Sequence, residues 1–350
     1  MIASATKSFT LAASCGNVNL QGPPIDSGGE GEVHLIENGR RVAKILFRPT
    51  PLTLKKLHWM IQHAPPRVSF WTPLDLAWPE DLVIDAGTPC GYVAVYFSGS
   101  ATLEELFERT LREARFPGWT YAHLVNVAAN LALAFERAHR LGLVIGDVSS
   151  RNALCDQKTY IKLIDLESSQ IDAGSEVYPC LVATADCTPP ELQSVTDFST
   201  VLRTIFHDRF GLAVLIYQIL TEGKHPFHGI VETPKDLKSL PPGIPERISQ
   251  NLWPFSSSTN GKPQVTPPPG GCDFEMFPPE LRALFLRAFD EGHLNPARRP
   301  SPLEFARVLH QHLQDLAACP RHPRHRHAPH LINCPWCERR RTTGVDSFPN

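Results

Sequence analysis

The sequence predicts an α+β protein in two lobes, and two observations predict it. Short apolar runs separated by turn residues fill the first hundred positions, and longer segments with apolar residues at helical spacing fill most of the remaining chain. A third observation predicts an appendage: Cys319, Cys334 and Cys337 group with four histidines near the C-terminal end. The expected division is an N-terminal extension over 1–17, a small antiparallel β-rich lobe over 18–100, and a helical lobe over 101–317. A Pro-rich insertion at 232–279 interrupts the helical lobe. A Cys/His-rich tail covers 318–340, and a disordered end covers 341–350.

Each element has its own signal. "EVHLI" lies between a glycine-rich turn and "ENGRR", where Asn38-Gly39 marks a hairpin leading into "RVAKILF". Residues 52–63 fit one helix. "DLVID" and "CGYVAVYF" are further strands, with Gly87-Thr88-Pro89 as the turn between them. After Ser100, "ATLEELFERTLREA" is expected to be one helix. In the next helix Leu124, Val127, Ala128, Leu131, Phe135 and Ala138 repeat at helical spacing, and Gly142 stops it. "DRFGLAVLIYQILTEG", "PPELRALFLRAFDE" and "SPLEFARVLHQHLQDLAA" give three more helices, the last two opened by proline signals.

Bulk properties narrow the function classes. The 350 residues are 42% hydrophobic, enough for a full core, and the net charge of −2 gives no support to polyanion binding by the whole chain. Six of the nine cysteines are scattered singly, which reads as reduced thiols in a cytoplasmic protein. The start, "MIASATKSFTLAASCG", has too short an apolar run for an export signal, and Phe210 to Leu220 is too short to span a bilayer.

The chemistry-bearing residues come in a fixed order. Gly28, Gly29 and Gly31 lie between two strands, where glycines let a backbone approach a phosphate closely. Lys44 sits in an apolar strand. Asp147 precedes Asn152 by five residues, and Asp165 ends the apolar run "IKLI". Taken singly, these are a hairpin turn, a solvated lysine and turn-forming residues. Taken together, an acid, an amide and a second acid suit oxygen ligation of magnesium beside a base.

That ordered set resembles the protein kinase fold, over roughly residues 18–317. "DSGGEGEV" is similar to the phosphate-covering loop, with Gly28, Gly31 and Val33 matching and Asp26 in place of the first glycine. "VAK" resembles the strand of the phosphate-pairing lysine, Lys44, with Ala43 beside the nucleotide. "IGDVSSRN" resembles the catalytic loop, with Asp147 as base and Asn152 as a magnesium ligand. "IDLE" resembles the magnesium motif, with Asp165 as ligand. "TPPEL" and "RRPS" supply Glu191 and Arg299, which the resemblance pairs, and Asp208 matches the aspartate that opens a buried helix. The resemblance implies a Ser/Thr protein kinase using ATP and Mg2+ on a protein substrate. The adenine would lie near Val95 to Phe97.

Several positions depart from the pattern. Gly146 replaces an arginine, Ser149 replaces a lysine, and Leu166-Glu167 replaces Phe-Gly. The helix over 52–63 holds no glutamate, so the partner of Lys44 is not visible; Glu80 or Asp81 is the substitute to consider. These departures make a pseudokinase, a nucleotide-sensing or scaffolding protein, the alternative. Ser168, Ser169, Ser175, Thr184 and Thr188 offer hydroxyls for modification in the activation segment.

In the tail, Cys334-Pro-Trp-Cys337 is a CxxC knuckle. Cys319 and one of His322, His325, His327 or His330 would complete a tetrahedral zinc site. The "GGEGEV" loop, the "HDRFGLAVLIYQILTEGKHPF" helix and this Cys/His end together resemble a bacterial subgroup of eukaryotic-like Ser/Thr kinases with degenerate catalytic motifs and a zinc-ribbon-like end. Against that pattern His325 matches best. The subgroup implies a PP2C-type phosphatase and a von Willebrand A protein as partners. Nucleic-acid binding by the basic tail is a third class, disfavoured because no second module accompanies it.

Overall fold

The computed structural model describes residues 8–14, 16–36, 39–65, 74–231, 240–256, 265–268 and 274–350. Cys15, Asn38, Cys272 and much of the expected insertion lie outside them.

The N-terminal lobe is a seven-stranded antiparallel sheet in the order β2-β1-β7-β8-β5-β4-β3. Its strands are β1 (Ser8–Leu11), β2 (Asn17–Asn19), β3 (Gln21–Ser27), β4 (Gly31–Ile36), β5 (Arg41–Leu46), β7 (Asp81–Asp85) and β8 (Thr88–Val95). Strands β4 and β5 form the expected hairpin, with Gly39 at φ +76°, a conformation that glycine adopts without steric cost. Helix α1 (Pro51–Gln62) starts where Thr50 caps the Thr53 amide at 3.1 Å and proline occupies the first position. Leu57 and Met60 fix its inner face.

From Ser8 on, the described residues of the expected N-terminal extension instead belong to this sheet. Thr10 and Leu11 of β1 pair with Ile84 and Val83 of β7, and Phe9 and Val18 are buried against Ile36, Ala43, Val83 and Val93. Without β1 and β2 that sheet face would be apolar and wet, which is the physical reason the chain start folds onto it.

A four-stranded sheet, β6-β12-β11-β9, joins the lobes: β6 (Leu74–Leu76), β9 (Ala101–Thr102), β11 (Ala153–Cys155) and β12 (Ile161–Leu163). A smaller antiparallel sheet follows the order β10 (Leu143–Val144), β13 (Gln170–Asp172) and β14 (Val177–Tyr178). The single helix expected after Ser100 is two. α2 (Leu103–Phe107) and α3 (Arg109–Arg115) meet at Glu108, whose extended backbone (ψ 116°) and side-chain cap on Thr110 end one helix and start the next. The core packs around α4 (Tyr121–Arg140) and α5 (Ile205–Leu220), the latter buried on nearly every side. α6 (Ile244–Ser249) lies in the described part of the insertion, where Leu252 and Trp253 are also buried. α7 (Pro279–Leu286) continues through a wider turn over Arg287–Glu291. α8 (Pro302–Asp315) opens with a reciprocal cap between Ser301 and Glu304.

The end of the chain is ordered by packing rather than disordered. α9 (Pro335–Thr343) carries Trp336 onto Tyr121, ring centroids 4.9 Å apart, and Phe348 packs 5.0 Å from Trp336. Beneath them the fully buried Arg112 donates to the Ser347 carbonyl at 3.0 Å and pairs with Glu222. Glu222 also holds Arg339 and accepts from the Ser347 hydroxyl at 2.7 Å. A buried arginine needs such a partner set, and the last residues complete it. Among the described residues no helix is long and apolar enough to cross a membrane.

Phe348 has no exposed surface, so Phe348→Ala is expected to lower unfolding free energy by about 3–5 kcal/mol. Chemical denaturation of the full chain measures this; an unchanged midpoint would mean the end is detached.

Candidate active site and metal centre

In β5, Lys44 lies across from Val33 in β4 and Tyr92 in β8. Side chains alternate along a strand, so Lys44 and Val42 share one face and Ala43 takes the other. Ala43 is fully buried among Phe9, Val18, Ile36, Val83 and Val93. It does not line the cleft, which corrects its assignment beside the nucleotide. Val42 lies on the opposite face, packed, as Val95 and Phe97 are, against the cluster that holds Tyr92 and Ala94. The period-two rule applied to "VAK" is the signal that would have found it.

The Lys44 ammonium contacts both Asp165 and Glu167. Burial works against its charge, but the Glu167 and Asp165 carboxylates outweigh burial and hold its pKa above the ordinary range. Burial also works against the Asp165 charge, yet Lys44 holds that carboxyl below its usual range. Glu167 is pushed up to about 7 by burial and by Asp165 beside it, with Lys44 opposing. Glu80 and Asp81 are not the partners of Lys44. Glu80 pairs with Arg41 at 2.8 Å, and Asp81 accepts the Ala13 and Ser14 amides at 2.9 and 3.3 Å.

Asp165 itself is left-handed, at φ 61°, an uncommon conformation for a residue with a side chain. Immediately after it, a tight turn buries Glu167 and Ser168. From α1, the buried Lys56 donates to the Ser169 carbonyl. Burial lowers its pKa to about 8.

The glycine turn sits above this cluster. The Gly28 amide donates to the Gly31 carbonyl at 3.0 Å. A Cβ on Gly31 would lie 2.3 Å from the Ile45 carbonyl oxygen, so glycine is required there by close approach of two strands. Gly28 and Gly29 face open space. Gly29 and Glu30 line a cavity of about 520 Å³ together with Phe47, Lys56, Glu167 and Leu181.

The loop between β10 and β11 carries Asp147 and Asn152. Asn152 donates its side-chain amide to the Asp147 carbonyl and carboxylate at 3.2 and 3.3 Å. Its own carbonyl accepts the Ile164 amide at 3.0 Å, which ties the loop to the residue before Asp165. Asp147 also accepts a 2.8 Å hydrogen bond from Thr184. Sequence reasoning offered Thr184 only as a modifiable hydroxyl; its contact with Asp147 was missed. Asp208, 1% exposed, accepts the Ile145 and Gly146 amides at 2.8 Å each and pairs with His139 at 2.9 Å.

Gly146 has φ +72°, and a Cβ there would lie 2.7 Å from the Cys180 sulfur. This is the structural reason for glycine where the resemblance has arginine. The buried Arg203 instead bridges the Gly146 and Val182 carbonyls at 2.6 and 2.8 Å. Arg299 forms a two-pronged pair with Glu191, both contacts 2.7 Å.

In the tail, the hairpin of β15 (Ala317–Ala318) and β16 (Arg326–His327) brings Cys319 and His325 toward Cys334 and Cys337 at the start of α9. Ligand atoms of all four lie within 4.8 Å of one another. His325 Nδ1 is 3.6 Å from the Cys334 sulfur and 3.4 Å from that of Cys337, and the Cys319 and Cys337 sulfurs are 3.6 Å apart. His325 Nε2 faces Asp346 at 2.9 Å. The other histidines point elsewhere: His322 stacks on His325, His327 meets the Ala328 carbonyl and His330 the Glu275 carbonyl. Three sulfurs and one imidazole nitrogen at this separation fit a tetrahedral soft-ligand metal.

Comparisons with known proteins bear on the whole arrangement. No family model matches the chain. Protein kinase YegI from Escherichia coli O157:H7 is 30% identical over 94% of this chain, and the protein of that name from strain K12 is 30% identical over 93%. The chain spans about half the length of these curated relatives, 50% and 49%. Human cGMP-dependent protein kinase 2 is 32% identical over 28% of the chain, which covers 12% of that protein. Homology to named protein kinases and the two-lobed α+β architecture agree.

The Lys56 pKa of about 8 lies below the 10.5 of an unburied lysine. Between those values the unfolded chain binds the extra proton, so stability rises with pH there. Lys56→Met is expected to remove this rise, and denaturation midpoints at pH 8 and pH 10 would measure it.

Proposed function

We propose that this protein is a cytoplasmic Ser/Thr protein kinase that transfers the γ-phosphate of Mg-ATP to a protein hydroxyl. The observation that carries the reading is the continuous chain of contacts from Thr184 through Asp147 and Asn152 to Ile164, and from the adjoining Asp165 to Lys44. Asp147 orients the acceptor hydroxyl and takes its proton as oxygen bonds to the γ-phosphorus. The bond to the β-phosphate oxygen breaks and ADP leaves. Asn152 and Asp165 would hold magnesium, which would supply positive charge to the phosphates. Lys44 supplies further positive charge to the α- and β-phosphates. Gly28, Gly29, Gly31 and Val33 cover the nucleotide, with Val42, Val95 and Phe97 against its base. Glu191, Asp208 and Arg299 keep the framework rigid. Cys319, His325, Cys334 and Cys337 would hold a structural zinc, with Asp346 orienting His325. The PP2C-type phosphatase and von Willebrand A protein rest on the resemblance to the bacterial subgroup alone.

The absence of a glutamate from α1, together with Ser149 and Leu166-Glu167, favours the alternative, a pseudokinase that binds ATP without transfer. Intact-mass measurement after incubation with Mg-ATP, alone and with a basic acceptor protein, separates the two. Wild type is expected to gain phosphate, and Asp147→Asn and Lys44→Met to lose about 10²-fold or more in rate. A thermal shift with ATP but no phosphate on any variant would establish the pseudokinase.

Metal analysis of the purified chain is expected to return roughly one zinc per molecule, lost in the Cys334→Ser/Cys337→Ser double variant. Chelation should lower the melting temperature, because metal binding at such a site is coupled to folding.

A further inference from the structure

We propose that Glu167 positions Lys44 in place of a helix glutamate, so that the ion pair setting the phosphate-binding lysine has moved off α1 and into the segment after Asp165. The inference rests on the phosphotransfer reading and names how that site is held in order.

Three observations carry it. α1 contains no acidic residue in PLTLKKLHWMIQ, and the charged residue on its buried face is Lys56. Glu167 contacts the Lys44 ammonium while its own side chain is only 4% exposed. Lys56 reaches the same segment from the other side, donating to the Ser169 carbonyl.

These charges belong together. Lys44 and Lys56 are buried cations; Asp165 and Glu167 contact Lys44, and the Glu30 carboxyl gathers with theirs. Glu167 acts electrostatically on both lysines. A glutamate at position 56 with a small neutral residue at 167 would restore a one-helix arrangement. The observed sequence has the reverse: a cation on the helix and the acid two residues beyond Asp165. Removing Glu167 leaves the buried Lys44 with Asp165 alone, a poorer compensation of its charge that the interior disfavours.

The transposition has a mechanical consequence. Where the acid sits on a helix, moving that helix removes the lysine's partner. Here an outward shift of α1 leaves Lys44 on Glu167 and instead pulls Lys56 from the Ser169 carbonyl. Lys44 is thus set by the order of residues 165–169, and α1 acts on it only through that segment. Glu167 is a positioning residue: it acts on the phosphates through Lys44.

The test is a charge transposition in the full-length chain. Phosphotransfer rate, KM for ATP and equilibrium Mg-ATP affinity are measured for wild type, Glu167→Gln, Glu167→Gly, and Glu167→Gly/Lys56→Glu. The proposal expects tenfold or greater loss of kcat/KM in both single variants, with KM for ATP raised and the fold intact by melting. It expects the double variant to recover at least fivefold over Glu167→Gly, a rescue that loss of packing alone would not give. Single variants within twofold of wild type would overturn it, as would a folded double variant with no recovery. If wild type transfers no phosphate, the phosphotransfer reading has failed. Mg-ATP affinity then decides the Glu167 role: weakened in the single variants and restored in the double variant, or overturned by equal affinity throughout. Should the double variant not fold, the single variants' KM and affinity decide it on the same thresholds.

Discussion

The Asp208 carboxylate is the constraint on which the site depends. It is almost wholly buried at the start of α5, and both its oxygens are spent on the loop that follows α4. Two backbone amides and the His139 ring converge on one anion. The buried Ile145 amide would be left unsatisfied without it, and charge-assisted bonds of this kind are stronger than neutral ones. The consequence is local: Gly146 is held at positive φ against Cys180, and Asp147 leaves the loop in a fixed direction. α4 and α5 are the rigid pair behind it, packed through the main apolar core. A site that works by positioning needs such a support more than it needs reactive groups.

From that support, order spreads by hydrogen bonds and buried charge. Asn152 carries it to Ile164, and Asp165 meets the β-lobe at Lys44. Arg203 fixes the Gly146 carbonyl to Val182, and Gln170 holds Arg203 through paired bonds of 2.7 and 2.8 Å. The segment after Asp165 is therefore ordered by a buried arginine belonging to the chain itself. Arg299 and Glu191 perform the same service farther along, with Arg299 under Phe210 at 5.4 Å.

The tail is built into the helical lobe. Its Cys/His cluster stands over a seam of Tyr121, Trp336 and Phe348, and Arg112, Glu222 and Arg339 form a buried charge network below. The chain's last residues supply both ring and hydroxyl to this seam. A segment with few apolar residues reads as loose in sequence, yet one phenylalanine at the right place is enough to dock it once the receiving surface exists.

Local features were legible along the chain. Helical periodicity placed α4, α5 and α8, and proline and serine signals placed the starts of α7 and α8, whereas α5 begins at Ile205, three residues before the expected start at Asp208. The order of Gly31, Lys44, Asp147, Asn152 and Asp165 was legible because motif chemistry depends on spacing along the chain. Features that depend on approach through space were set by folding. Strand register turned Ala43 away and Val42 inward; packing of β1 and β2 on the sheet made the described residues of the N-terminal extension, from Ser8 on, part of the lobe. Convergence of a hairpin and a helix end selected His325 from four candidates. The partner of Lys44 lay 123 positions away at Glu167, and no local pattern carries a contact of that separation. Buried electrostatics is settled by which charges share a cavity, and only the folded chain brings those charges together.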